Sequence, residues 1–186
     1  MKLQPSSGKQ RYTNGDVAVP GRDSITFSKE ILPLILSLKD NPHSFVLDVG
    51  CGNGRMLKLL LPYYPNIVGI EPLKRDYHIE PYIEKYIEEM NLHEYLKSAT
   101  HYILHQGRPK HDIVLMNAFV CIFDGVDGNA SELIEILDQI TNENALYIIS
   151  GDPINAINVH KYFEEHLKLE RYIEINSEYF YGLYTK

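Results

Sequence analysis

Two kinds of hydrophobic pattern alternate along the chain. Short apolar runs rich in Val, Ile and Leu predict strands that are buried on both faces, and they cover residues 45–49, 66–70, 112–116 and 146–149. Between them, apolar residues recur three and four positions apart, which is the spacing of one helix face. This spacing predicts helices over residues 31–38, 56–61, 83–90, 133–140 and 155–167. Because an interior proline loses a hydrogen bond, we expect Pro33 in the first turn of its helix or at a kink.

The segment between the second and fourth predicted strands is ambiguous. We expect the third strand over residues 92–97, followed by a short helix that starts near Thr100; the alternative is a strand over residues 101–106. Two final strands, over residues 171–176 and 179–185, are joined too tightly for a crossover helix and should pair antiparallel. The alternation predicts an α/β fold: a three-layer sandwich with a mostly parallel seven-stranded sheet, an antiparallel final strand and right-handed crossovers.

The chain divides into a polar arm and one domain. Residues 1–26 are broken by proline and glycine, and we expect this arm to act as an active-site lid. Residues 27–186 carry the alternating pattern and form the domain. Composition agrees, since 44% hydrophobic and 23% charged residues are ordinary values for a globular protein.

Charge and cysteine content narrow the choice of partners. The chain has 25 acidic and 18 Lys or Arg residues, a net charge of -7, and no basic stripe, so nucleic acid is an unfavoured partner. No apolar stretch approaches a membrane span or a signal peptide. Cys51 and Cys121 are too few for a disulfide framework. We therefore expect a cytoplasmic protein; its oligomeric state stays open.

The candidate chemistry follows the first predicted strand. The sequence Asp48-Val49-Gly50-Cys51-Gly52-Asn53-Gly54-Arg55 forms a glycine-rich turn between a strand and a helix, where the backbone can approach a ligand closely. Glu71 ends the second strand, 21 residues after Gly50, where a carboxylate can accept hydrogen bonds from the hydroxyls of a ribose. The two features together indicate an adenosine-containing cofactor.

The glycine spacing distinguishes between cofactors. A dinucleotide fingerprint reads Gly-x-Gly-x-x-Gly, whereas here the glycines are Gly50, Gly52 and Gly54, and Arg55 follows. With Leu47-Asp48-Val49 before it, this loop resembles motif I of the class I S-adenosylmethionine-dependent methyltransferases, which have a Rossmann-like fold. Residues 112–117 resemble the fourth-strand motif of that family and residues 144–149 its fifth strand. The resemblance extends over residues 27–186.

The resemblance implies an enzyme that uses S-adenosyl-L-methionine. Gly50 and Gly52 would face the methionine part and Glu71 the ribose, while Asp48 and the backbone near Asn117 would contact the methionine ammonium. Many family members hold the adenine amino group with an Asp after strand three; the nearest equivalents here are Ser98 and Ala99. The implied cofactor-binding residues are Asp48, Gly50, Cys51, Gly52, Gly54, Glu71, Pro72, Ser98, Ala99 and Asn117.

The sequence says less about the molecule that would accept the methyl group. The Asn/Asp-Pro-Pro-aromatic signature of many amino-methylating enzymes is absent, and Asn117-Ala118-Phe119-Val120 stands in its place. The acidic charge, and the little chain left beyond the core, favour methyl transfer by in-line displacement to an oxygen or nitrogen of a small molecule. The alternatives are a protein or RNA methyltransferase, or a non-catalytic S-adenosylmethionine-binding module.

No catalytic base stands out. The loops after strands four and five offer weak candidates, and Tyr12 of the arm is a candidate lid residue; the candidates are Asp124, Asp127, Asp152, Asn155, His160 and Tyr12. His101, His105 and His111 lack an acidic ligand at a matching spacing, so we expect no metal site. Cys51 is expected to fill space in the loop rather than to act as a nucleophile.

Overall fold

The computed structural model describes residues 25–72, 74, 78–117, 130–151, 157–176 and 179–186. A π-helical turn, π1 (Phe27–Ile31), precedes the α-helices, which are α1 (Leu32–Leu38), α2 (Arg55–Leu60), α3 (Pro81–Glu84), α4 (Leu92–Gln106), α5 (Ala130–Ile140) and α6 (Ile157–His166). The strands are β1 (Val46–Val49), β2 (Ile67–Ile70), β3 (Ile87–Glu88), β4 (His111–Asn117), β5 (Thr141–Gly151), β6 (Lys168–Asn176) and β7 (Tyr179–Thr185).

The seven strands form one sheet in the order β3-β2-β1-β4-β5-β7-β6. The pairs among β1 to β5 are parallel, whereas β7 runs antiparallel to both β5 and β6. The predicted α/β sheet with an antiparallel final strand is therefore confirmed. Parallel strands all end at one edge of the sheet, so the ends of β1, β2, β4 and β5 meet there.

The core has one apolar cluster on each face of the sheet. One face packs Leu47 and Val114 against α4 and α5, and the other packs Val46 and Ile113 against π1, α1 and α2. Residues two apart on a strand point to the same face. This alternation explains why the central strands are apolar throughout, since both faces are covered.

Pro33 lies in the first turn of α1, as one of the two sequence-based alternatives predicted. The preceding turn is π-helical, with the Leu32 N–H donating to the carbonyl of Phe27. Because Pro33 has no N–H to donate to the turn before it, a wider turn at that point removes the conflict.

The predicted third strand is wrong. Residues 92–97 form the start of α4, which also includes the alternative strand at residues 101–106, while β3 lies at Ile87–Glu88 within a segment predicted to be helical. Asn91 and Glu94 form a capping box at the start of α4. The Glu94 N–H donates to Asn91 Oδ1 at 2.9 Å, and the Asn91 N–H donates to Glu94 Oε2 at 2.8 Å. The Asn-x-x-Glu pattern was the local signal for a helix start. Periodicity missed β3 because two residues carry too little pattern.

Candidate active site

The loop after β1 depends on glycine at three alternate positions. Gly50, Gly52 and Gly54 have φ values of 70°, 55° and 78°. This left-handed region strains residues that carry a Cβ, so the loop can form its sharp turns only with glycine. The Gly-x-Gly-x-Gly pattern that the sequence singled out is therefore a backbone requirement.

The amides of this loop are bonded within the protein. The N–H groups of Gly50 and Cys51 donate to the carbonyl of Ile70 at 2.9 and 3.1 Å. The Gly52 N–H donates to Glu71 Oε2 at 3.0 Å, which joins the glycine loop to the end of β2. Each of these amides already has an acceptor, so they do not form a cradle for an anion.

Two of the candidate residues make close packing contacts beside the loop. Cys51 lies over β2 at Gly69, where a Cβ would come within 2.6 Å of the Cys51 Sγ atom. A Cβ on Gly54 would come within 2.5 Å of Ile83 Cγ2, so Gly54 lets α2 lie close to α3. Burial, and then the charges of Asp48 and Glu71, raise the pKa of the Cys51 thiol. The thiol stays protonated, which fits the expectation of a space-filling residue.

Asp48 is a buried carboxyl group beneath the glycine loop. It is 1% exposed, and neither of its carboxyl oxygens has a hydrogen-bond partner in the part of the chain that the structure describes. Burial, and secondarily the charge of Glu71, raise the pKa of Asp48 to about 7. Burying an ionised group without a partner is costly, so this position favours a positively charged ligand group.

The electrostatics of the loop distinguish between ligand classes. A pyrophosphate needs free backbone N–H groups and positive potential at a helix N-terminus. Here the N–H groups of Gly50, Cys51, Gly52 and Gly54 are bonded within the protein. The carboxyl groups of Asp48 and Glu71 lie beside them. The loop therefore suits a cation such as an ammonium and opposes a pyrophosphate.

Polar side chains continue across the sheet in one row. By strand register, Glu71 is level with Gly50, and Asn117, Ser150 and Tyr181 are at the same level on the next strands. Their side chains share the sheet face of Asp48, because alternate residues point the same way. The Ser150 hydroxyl donates to Asn117 Oδ1. Sequence reasoning missed Ser150 and Tyr181, since only cross-strand register places them beside Asn117.

Ser98 and Ala99 are not at the end of strand three. Both lie inside α4, about 10 Å along its axis from its first residue, and Ala99 is 2% exposed in the core. Their prediction as neighbours of the adenine followed from the wrong third strand. The residue that directly follows β3 is Glu89, an acidic side chain that the sequence reading missed. Pro72 follows Glu71 and is exposed.

His160 lies in an aromatic cluster away from the loop. Its Nδ1 shares a hydrogen bond with the Tyr184 hydroxyl, and its ring packs on Tyr172 and Phe180 with centroids 5.1 and 5.0 Å apart. Burial lowers the pKa of His160, against the opposing charge of Glu164. β7, which carries Phe180 and Tyr184, is three strands from β1, about 14 Å. These contacts give His160 a packing role.

The other candidate acceptor-site residues, Tyr12, Asp124, Asp127, Asp152 and Asn155, lie outside the described residues. Within the described ranges, no three His, Cys, Asp or Glu side chains are grouped as metal ligands. His101 is exposed on α4, whereas His111 is buried at the start of β4. No helix among the described segments is long and apolar enough to cross a membrane.

No family model matches the sequence, and no curated protein matches it significantly. Solved structures do match. The N-methyltransferase NodS from Bradyrhizobium japonicum WM9, in complex with S-adenosyl-L-homocysteine, is 13% identical with a TM-score of 0.65, over 97% of both chains. A SAM-dependent methyltransferase from Aquifex aeolicus is 17% identical with a TM-score of 0.61, over 99% of both chains.

The plantazolicin methyltransferase BpumL, in complex with a monoazolic desmethylPZN analog and S-adenosyl-L-homocysteine, has a TM-score of 0.61 at 9% identity. This match covers 97% of the present chain and 86% of BpumL. The chain thus has the fold of the class I S-adenosylmethionine-dependent methyltransferases, which is the fold that the motif I resemblance implied.

Proposed function

We propose that this protein is an S-adenosylmethionine-dependent methyltransferase that acts on an oxygen or nitrogen of a small molecule. One observation carries the proposal: a left-handed glycine loop has a buried, unpartnered Asp48 beneath it and Glu71 bonded across it. This arrangement fits a ligand that combines a ribose with a positively charged amino acid group. The fold shared with methyltransferases of known structure agrees with this interpretation.

The residues present fit the cofactor at three points. Asp48 would accept the methionine ammonium, because its oxygens lack any other partner in the described chain. Glu71 would hold the ribose from the end of β2, its position set by the Gly52 N–H. Glu89 directly follows β3. In many class I methyltransferases, which this chain resembles, the acidic residue that holds the adenine amino group lies at this place. When bound, the cofactor supplies an electrophilic methyl group on a positively charged sulfur.

The chain's own contribution to catalysis is mainly positioning. Holding two reactants in line can supply roughly 7–11 kcal/mol of the barrier reduction. Asn117, fixed by Ser150, and Tyr181 lie in the row beyond the glycine loop, on the side away from Glu71. We assign this uncharged end of the row to the acceptor.

Two further features support a small acceptor and a covered site. The chain is acidic, with a net charge of -7, which disfavours RNA. π1 lies two residues after the start of the described chain and packs Phe27 on Tyr181, with ring centroids 6.3 Å apart. The arm before Phe27 therefore joins the domain beside the proposed acceptor end, where residues 1–26 would serve as a lid.

The test is methyl transfer from S-adenosylmethionine carrying a radiolabelled methyl group, with cell extract separated into metabolite, protein and RNA fractions. We expect label in the metabolite fraction, and its loss with Glu71→Ala. Glu143→Gln, which alters an exposed carboxylate of β5, is the matched control and should keep activity. Label confined to protein or RNA would overturn the small-molecule assignment.

A further inference from the structure

Asp48 and Glu71 form a pair of buried carboxyl groups on one face of the sheet. Asp48 pairs with Gly69 of β2, and Glu71 lies two residues beyond Gly69, so both side chains point the same way. Asp48 is 1% exposed and Glu71 is 6% exposed. Because these two carboxyl groups are neighbours and both are shielded from water, ionisation of both at the same time is costly.

In the described part of the chain, no charged group is found that lowers the pKa of Asp48. On the β2 side the Cys51 thiol fills the space above Gly69, and on the β4 side the register partner is the apolar Leu115. Among the described residues that follow Glu71, the first cation is Lys74, whose Nζ atom donates to the carbonyls of Ile87 at 2.8 Å and Glu84 at 3.3 Å. Both Asp48 oxygens remain without a hydrogen-bond partner in the described chain.

We propose that the Asp48–Glu71 pair holds a proton when no ligand is bound and releases it when a ligand with an ammonium group binds, which makes cofactor affinity depend on pH. This inference rests on the proposed function and adds a proton to its binding equilibrium. In the described chain Asp48 has no hydrogen-bond partner, and the ligand's ammonium would supply a positively charged one. Ligand and proton therefore compete for the same carboxyl group.

The direction of the effect follows from this competition. Only the ionised pair binds the ammonium well, so the apparent dissociation constant rises as the ionised fraction falls. With the pKa of Asp48 at about 7, S-adenosyl-L-homocysteine should bind about 16-fold more tightly at pH 7.0 than at pH 5.5. Its ammonium stays protonated across this range, so the ligand itself does not contribute to the change.

The experiment is isothermal titration calorimetry of the full-length protein with S-adenosyl-L-homocysteine between pH 5.5 and 7.0. Each pH is measured in two buffers of different ionisation enthalpy, so that the heat difference counts the protons released. We expect about one proton released per ligand bound at pH 6.0. 5′-Methylthioadenosine, which has no ammonium, should bind without proton release.

Variants separate the two carboxyl groups. Asp48→Asn should weaken binding at pH 7.0 and abolish both the pH dependence and the proton release. Glu71→Gln should keep a pH dependence but move its midpoint to lower pH, because the neighbouring negative charge is gone. Glu143→Gln, an exposed carboxylate, should behave as wild type, and thermal denaturation confirms that each variant is folded.

The outcomes distinguish this inference from the proposed function. Wild-type protein that binds S-adenosyl-L-homocysteine with the same affinity at every pH and releases no proton would overturn the inference and leave the cofactor assignment standing. Asp48→Asn that retains the wild-type pH dependence would overturn it too. An absence of binding at every pH would overturn the proposed function itself and, with it, the inference.

Discussion

At the scale of single residues, the burial of Asp48 makes the stability of the fold depend on pH. Its pKa is raised from 3.8 to about 7 in the folded protein, so its neutral form is favoured by folding. The associated stability is complete at low pH and is lost as the pH rises through 7. From the size of the shift, the loss is about 4 kcal/mol between pH 4 and pH 8.

Asp48→Asn should therefore stabilise the ligand-free protein increasingly as the pH rises. Relative to wild type, we expect a gain in unfolding free energy that grows by about 4 kcal/mol from pH 4 to pH 8. Urea denaturation at several pH values measures this difference. A difference that does not change with pH would contradict the burial of an ionisable, unpartnered carboxyl group.

Two left-handed glycines offer a matched pair of substitutions. Gly54 and Gly107 have φ values of 78° and 66°, but a Cβ on Gly54 would meet Ile83 and Ile87 at 2.5 and 3.0 Å, whereas one on Gly107 would meet nothing within 4 Å. Gly107→Ala should cost about 1–2 kcal/mol for backbone strain alone. Gly54→Ala should cost about 1–3 kcal/mol more, because it overpacks the contact between α2 and α3.

Ligand binding distinguishes the roles of these two glycines. Gly54→Ala shifts the loop that carries Gly52, so we expect a weaker affinity for S-adenosyl-L-homocysteine as well as lower stability. Gly107 caps the C-terminal end of α4, so Gly107→Ala should keep the wild-type affinity for S-adenosyl-L-homocysteine. Chemical denaturation and calorimetry of both variants test the comparison, and equal effects on the two variants would refute it.

At the scale of elements, a buried hydrogen bond joins α4 to β4. Tyr95 Oη and His111 Nε2 are 2.7 Å apart, and His111 is 3% exposed. Burial, and then the charge of Arg108, lower the pKa of His111 from 6.5 to about 4. A histidine kept neutral in this way contributes stability that is present above pH 6.5 and lost as the pH falls through 4.

This element contact should make the fold sensitive to acid. Between pH 7 and pH 4 the wild-type protein should lose about 3 kcal/mol through His111. His111→Gln removes the titration and leaves an amide within reach of Tyr95, so its stability should fall less over this range. His101→Gln, on the exposed side of α4, is the control. Equal pH profiles for wild type and His111→Gln, by urea denaturation, would contradict this prediction.

At the scale of the whole molecule, ligand binding should stabilise the fold selectively. S-Adenosyl-L-homocysteine at 100 times its dissociation constant should add about 2.7 kcal/mol to the unfolding free energy. For a chain of this length that raises Tm by about 5–10 °C. NAD at the same concentration should not raise Tm. Its pyrophosphate would lie against N–H groups that already have acceptors and beside the carboxyl groups of Asp48 and Glu71. Differential scanning fluorimetry measures both, and an equal shift with NAD would exclude the proposed cofactor class.

Local sequence pattern predicts some elements of this fold and not others. The central strands could be read from sequence because strands covered on both faces leave continuous apolar runs. The glycine loop could be read because only glycine accepts its φ values without strain. β3 could not be read, since its two residues become a strand only by pairing with Gly69 and Ile70 of β2.

By itself, the sequence determined the α/β fold class, the glycine loop and the acid that ends β2, all of which follow from local conformation and spacing. Tertiary structure alone decided that Gly52 bonds Glu71, that Cys51 packs on Gly69 and that Asp48 has no partner in the described chain. Such relations join residues from separate strands, and their geometry depends on register and burial. The raised pKa of Asp48 thus comes from packing, because burial without a hydrogen-bond partner disfavours the ionised form of its carboxyl group.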